Sequence, residues 1–180
     1  MKRVLAIAGI AVMVLVIVSI WQHWQNPSQE TRIRAEGSQM ATEIISDTWL
    51  NSAPLTTEDL RGKVVLVEFW TFDCINCRNT IPYIRAVYQR YHAQGLVVIG
   101  VHTPELAIER ELTNVKTAIQ DQNIPYPVAI DNDSKIWNAF NVWAWPTWFI
   151  LDKQSAIRFT HVGEGAYAES EQIIVQLLNE

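Results

Sequence analysis

Positive charge, cysteine and histidine are all scarce in this sequence. Its 14 Lys and Arg face 19 Asp and Glu, for a formal net charge of −5, and no basic run occurs anywhere. Nucleic acid is therefore not expected as a partner, because phosphate binding needs a clustered positive surface. Charged residues make up 18% and hydrophobic ones 49%, so the chain is neither disordered nor fibrous. It carries no internal repeat and no low-complexity tract. Cysteine is confined to Cys74 and Cys77, and histidine to His23, His92, His102 and His161. A structural zinc site needs about four ligands, and no two histidines have ligand-like spacing, so no metal is expected. Each histidine reads as a surface or partly packed side chain. A disulfide closed across two residues removes little chain entropy, so a mere structural staple is not expected either.

What is present begins with an apolar run. Lys2 and Arg3 precede an unbroken hydrophobic stretch over residues 4–20, followed by Trp21 and Trp24. At ~1.5 Å per residue the stretch with its flanking tryptophans covers a bilayer core of ~30 Å, and the tryptophans fall where an interfacial aromatic belt would lie. The run is longer than a signal-peptide core, and no Ala-x-Ala site follows it. An uncleaved transmembrane signal-anchor over residues 1–24 is expected. A polar tether over 25–40 and a globular domain over 41–180 follow it. Lys2 and Arg3 would hold the N-terminus inside. The domain would then lie on the periplasmic or outer side of a bacterial inner membrane, where disulfide chemistry is permitted.

Within the domain, β-branched and aromatic runs predict strands at 63–70 (KVVLVEFW), 96–101, 147–151 (TWFIL) and 157–162. Apolar positions Ile81, Ile84, Tyr88 and Tyr91 after Cys77 predict a helix that Gly95 ends. Further helices are expected over 105–120, 134–140 and 169–178. Strands alternating with helices, closed by a late hairpin, predict a three-layer α/β sandwich with a mixed central sheet.

Cys74 falls between a strand and the start of a helix, where unpaired N–H groups and the helix dipole favour a thiolate. Cys77 lies one turn later on the inward face. The first sulfur can attack a partner disulfide and the second can resolve the mixed disulfide. Glu68, on the preceding strand, is expected to face inward. It is either a proton-transfer carboxyl with a raised pKa or a satisfied core glutamate. Pro82 lies inside the helix. Trp145-Pro146-Thr147 precedes the third strand, an awkward place for proline unless its peptide bond is special.

This ordered set, Glu68-Phe69-Trp70, Cys74-x-x-Cys77, Pro82 and Trp145-Pro146-Thr147, resembles the thioredoxin superfamily over residues 47–180. The stretches 70–77 (WTFDCINC), 98–105 (VIGVHTPE) and 163–165 (GEG) look like its membrane-anchored TlpA-like and redoxin branch, and are similar to the extracytoplasmic domain of DipZ-type proteins. The resemblance implies a thiol–disulfide oxidoreductase with Cys74, Cys77 and Glu68 catalytic. Pro146 would be cis and stand beside the disulfide. Trp145, Pro146 and Trp70 are the candidates for the partner site, with packing in the core the competing reading of Trp70. Trp143 is the alternative to Trp145 there. It implies no cofactor beyond a redox-active Cys74–Cys77 disulfide, protein thiols and disulfides as partners, a separate membrane electron donor, and a monomer. Many TlpA-like proteins carry a glutamate where this chain has Thr80. No charge or histidine separates the cysteines and Asp73 opposes the helix dipole, so the reducing direction is expected. The competing readings are a peroxiredoxin-type peroxidase and a non-catalytic binding module that keeps the fold.

Overall fold

The computed structural model describes residues 40–180. The expected membrane helix over 1–24 and nearly all of the tether lie outside them. Among the described residues, no helix is long and apolar enough to cross a membrane.

The centre is a six-stranded mixed sheet. Its strands are β1 (Trp49–Leu50), β2 (Val64–Trp70), β3 (Leu96–His102), β4 (Val128–Ile130), β5 (Thr147–Leu151) and β6 (Ile157–Val162). They lie in the order β1-β4-β3-β2-β5-β6. β2, β3 and β4 pair in parallel, whereas β5 runs antiparallel to β2, β6 to β5, and β1 to β4. The sequence pattern anticipated the β5–β6 hairpin. It did not anticipate β1, which adds an antiparallel strand at the opposite edge.

Every residue of β2 is buried, as a strand covered on both faces requires. Val64, Leu66 and Trp70 join one apolar cluster, and Val65, Val67 and Phe69 join another. The first cluster holds the inward residues of α2 (Ile75–Tyr91), α3 (Leu112–Asp121) and α5 (Tyr167–Asn179). The second packs under α4 (Lys135–Ala139). Three layers result, as expected. Each fully buried Val, Leu or Ile contributes about 1.5–3 kcal/mol.

Two helical expectations change. The continuous helix over 105–120 is instead a 3-10 turn at Ala107–Arg110 followed by α3, with Glu111 extended between them. A single-turn helix, α1 (Thr57–Leu60), was not expected. It buries nothing and is fixed by a Thr56/Asp59 capping box.

Candidate active site

α2 begins where β2 ends, and Cys74 is its N-cap, with an extended backbone. The Cys77 amide donates to Cys74 Sγ at 3.2 Å. The cap thus uses a sulfur where Ser, Thr, Asp or Asn is usual, and one of the helix's unpaired N–H groups points at that sulfur. Cys74 is half-buried, while Cys77 has no exposed surface. Burial, and next the hydrogen bond with Cys74, push the Cys77 thiol far above its ordinary value. One accessible and one shielded sulfur therefore share a helical turn.

Behind them lies Glu68, fully buried on the α2 face of β2. Thr80 Oγ1 donates to its Oε1 at 3.1 Å, and the Tyr126 hydroxyl donates to its Oε2 at 3.1 Å. Burial raises the Glu68 carboxyl from 4.5 to about 7, and the two hydroxyls only partly offset it. A charge on Glu68 in turn raises Cys77, so the two groups sense each other.

Gly100 makes the Glu68–Tyr126 contact fit. It is Glu68's partner across the β2–β3 ladder. A Cβ there would lie 2.9 Å from Trp70 Nε1 and 3.3 Å from Tyr126 Cε2.

A second buried network sits beside the Cys74 loop. Glu109 Oε1 accepts the Asp73 amide at 3.1 Å, and its Oε2 accepts the Glu105 and Leu106 amides, each at 2.7 Å. Burial opposes a charge on Glu109. Hydrogen bonds from Thr71 and these three amides outweigh it and hold the carboxyl below its usual value. Thr71 Oγ1 also lies 3.4 Å from His102 Nε2. His102 is fully buried, not the surface or partly packed residue expected. It stands edge-on to Trp70 and stacked on Phe72, and its Nδ1 has no partner. Burial lowers its pKa from 6.5 to about 4.

The Trp145–Pro146 bond is cis, as the family resemblance implied. The Trp145 indole donates to the Thr103 carbonyl at 3.1 Å and tilts against Trp137 with centroids 4.2 Å apart. Pro146 is buried, and its carbonyl accepts the Gly163 amide at 2.8 Å. The 163–165 stretch also reaches α2, where Asn79 donates to Glu164 at 3.0 Å.

Of the six residues singled out from sequence, Cys77 and Trp70 share the α2-side core, with Cys74 and Trp145 packed at its margin. Trp70 needs correction as a partner-contact residue. It has no exposed surface and packs inside the core. Trp143 is the exposed member of the loop, at 75%. Sequence reasoning missed Thr80 and Tyr126 as Glu68's partners, and missed Glu109 altogether.

The AhpC/TSA family pattern matches residues 39–160. The chain belongs to that family. Protein DipZ of Mycobacterium tuberculosis is 42% identical over 135 residues, covering 73% of this chain and 19% of that protein. The chain thus spans about a fifth of the length of the DipZ relatives. Thiol-disulfide oxidoreductase ResA of Bacillus cereus is 29% identical over 128 residues, covering 71% of this chain and 70% of that one. A thiol:disulfide interchange protein of the thioredoxin family from Chlorobium tepidum superposes with TM-score 0.68 at 26% identity, covering 79% of this chain and 97% of that one. The AhpC/TSA domain is thus of the thioredoxin superfamily, on its TlpA- and DipZ-like side, as the motifs implied.

Proposed function

We propose that the chain is a thiol–disulfide oxidoreductase that reduces disulfides of partner proteins outside the cytoplasm, as a monomer held at a bacterial inner membrane by residues 1–24. One observation carries this reading. Cys74 is an accessible sulfur at a helix N-terminus, and Cys77 is a shielded sulfur that shares a hydrogen bond with it. The Cys74 thiolate attacks one sulfur of the partner disulfide, and the other leaves as a thiolate. Cys77, deprotonated toward Glu68, then attacks Cys74 Sγ. The Cys74–Cys77 disulfide forms, and the partner leaves with both electrons. A membrane dithiol donor must return two electrons for the next cycle, and no other cofactor is needed. The names of the relative ResA and of the Chlorobium tepidum protein support this chemistry. The apolar run after Lys2 and Arg3 supports the location.

The test is reduction of a protein disulfide such as insulin, with dithiothreitol as donor. Cys77→Ala should accumulate mixed disulfides through Cys74 with extracytoplasmic proteins. Peroxide consumption without insulin reduction would instead establish the peroxidase reading. A chain inert in both assays would be a binding module.

A further inference from the structure

We propose that Thr80 is a positioning residue that sets the pH range in which Glu68 can accept the Cys77 proton. This rests on the dithiol–disulfide reading above and adds a specific part to it. Glu68 takes part in no ion pair among the described residues. Its two oxygens each meet a single hydroxyl, from Thr80 of α2 and from Tyr126 before β4. The titratable groups facing it are Cys77 and Tyr126, and Arg85 acts by its charge on Tyr126.

The two hydroxyls are not equivalent. Thr80 Oγ1 also lies 2.8 Å from the Cys77 carbonyl. It has one hydrogen and two acceptors. With Glu68 ionised, the hydrogen faces Glu68. With Glu68 protonated, Oε1–H donates to Thr80 Oγ1, and the threonine hydrogen turns to the Cys77 carbonyl. Rotation of one O–H bond keeps every group in the chain Glu68–Thr80–Cys77 partnered in both charge states. A buried carboxyl that must cycle needs that, because an unmade bond at either state would fix it in the other. Among the described residues the Tyr126 hydroxyl meets no second acceptor, and it serves only as a donor.

The proton balance follows. In the resolving step Cys77 loses its proton to the Glu68 carboxylate as the Cys77–Cys74 bond forms and the bond from Cys74 to the partner breaks. Glu68 returns the proton when Cys77 is next reduced. Thr80→Val removes the bond in both charge states, the one to the ionised form being the stronger, and leaves the rest of the side chain in place. Glu68 should then be protonated, and unable to accept, at a higher pH.

The experiment follows two quantities in the full chain against pH. One is the resolving rate of a mixed disulfide between Cys74 and a chromogenic aromatic thiol. The other is the infrared carboxyl band of Glu68, assigned by its loss in Glu68→Gln. In Thr80→Val both midpoints should rise by about one pH unit, the excess of a hydrogen bond to a charged carboxylate over one to the neutral acid at about 1.4 kcal/mol per unit. Thr80→Ser should restore them. Thr80→Ala, which cannot crowd the helix, should shift them in the same sense. Unchanged midpoints in both Thr80→Val and Thr80→Ala would overturn the proposal and leave Thr80 as packing. If the unmodified chain exchanges no disulfide, the oxidoreductase reading falls, and the infrared midpoints alone still decide whether Thr80 holds Glu68.

Discussion

Glu68 and His102 stand on the same face of the sheet, on paired strands, two rungs of the β2–β3 ladder apart. Glu68 is opposite Gly100, and Trp70 is opposite His102. Both are fully buried, and burial moves them in opposite senses. Glu68 is raised to about 7, so folding favours its protonated form. That stability is present below pH 4.5 and is lost as pH rises to about 7. His102 is lowered to about 4, so folding favours its neutral form. That stability is present above pH 6.5 and is lost as pH falls to about 4. Each window is worth about 3 kcal/mol at ~1.4 kcal/mol per pH unit, and between pH 4.5 and 6.5 the two slopes oppose. Glu68→Gln should therefore lose stability steadily on acidification, and His102→Asn should lose it on alkalinisation. Urea melts from pH 4 to 7.5 test this. Parallel pH slopes in both variants and the parent would show that neither group is coupled to folding.

Gly100→Ala should destabilise the domain by about 1–3 kcal/mol, the usual range for overpacking. The new Cβ meets Trp70 and Tyr126, both without exposed surface, so neither ring can swing into solvent. Displacing Tyr126 also loosens its hydrogen bond to Glu68. The infrared band of Glu68 should move to higher pH together with the loss in Tm. A stability loss with an unmoved band would separate the packing at Gly100 from the carboxyl.

Much of this was legible along the chain. Strands β5 and β6 fall where the β-branched and aromatic runs put them, because such runs fit a buried pleated surface wherever they pair. Glu68 could be placed inward, yet β2 is buried on both faces, so alternation alone could not say which cluster it joins. The Thr56-x-x-Asp59 pair is a local capping signal and could have revealed α1. β1 could not be read, since two residues become a strand only through Trp49 and Leu50 pairing with Ala129 and Val128. The helix expected over 105–120 breaks because Glu109 turns inward to collect three amides, one of them 36 residues away. Helical periodicity carries no trace of such a contact. Trp70 was placed at the partner site by the resemblance, but β2 is covered on both faces and its ring lies in the core.

Glu109 should prove to be a positioning residue for the Cys74 loop. Its carboxylate joins the Asp73 amide to the Glu105 and Leu106 amides. Glu109→Ala leaves these donors without their acceptor, at about 1–3 kcal/mol for each one that stays buried. Amide exchange should quicken at Asp73 and Leu106, while the strand amides of β2 stay protected. Glu109→Gln keeps one of the two acceptor oxygens, so it should recover protection at Asp73 or at Leu106 but not at both. Removing the charge also lifts a negative group from beside the helix N-terminus, so the Glu109→Gln pair should become more oxidising on glutathione equilibration. An unchanged potential would confine Glu109 to holding the loop.

Trp143, the alternative to Trp145 in the sequence reading, should carry the partner binding. Trp145 is held by Thr103 and Trp137, and Trp70 is inside. Trp143 is 75% exposed, and Ile75, next to Cys74, is 61% exposed. Leu106 and Ile108 are exposed as well, on the segment that Glu109 ties to Asp73. A lone exposed apolar side chain is ordinary. Four of them lie on segments flanking or tied to the Cys74 loop and on the loop before Pro146, where a partner's apolar residues could cover them. Aromatic anchors of this kind dominate the binding energy of an interface. Trp143→Ala should therefore leave stability within about 0.5 kcal/mol and leave reduction of a small aromatic disulfide unchanged. It should raise KM for insulin about tenfold, the equivalent of about 1.4 kcal/mol, with kcat held. An equal loss on both substrates would mean that Trp143 acts on the cysteines themselves, and no loss on either would leave its exposure without a role in partner binding.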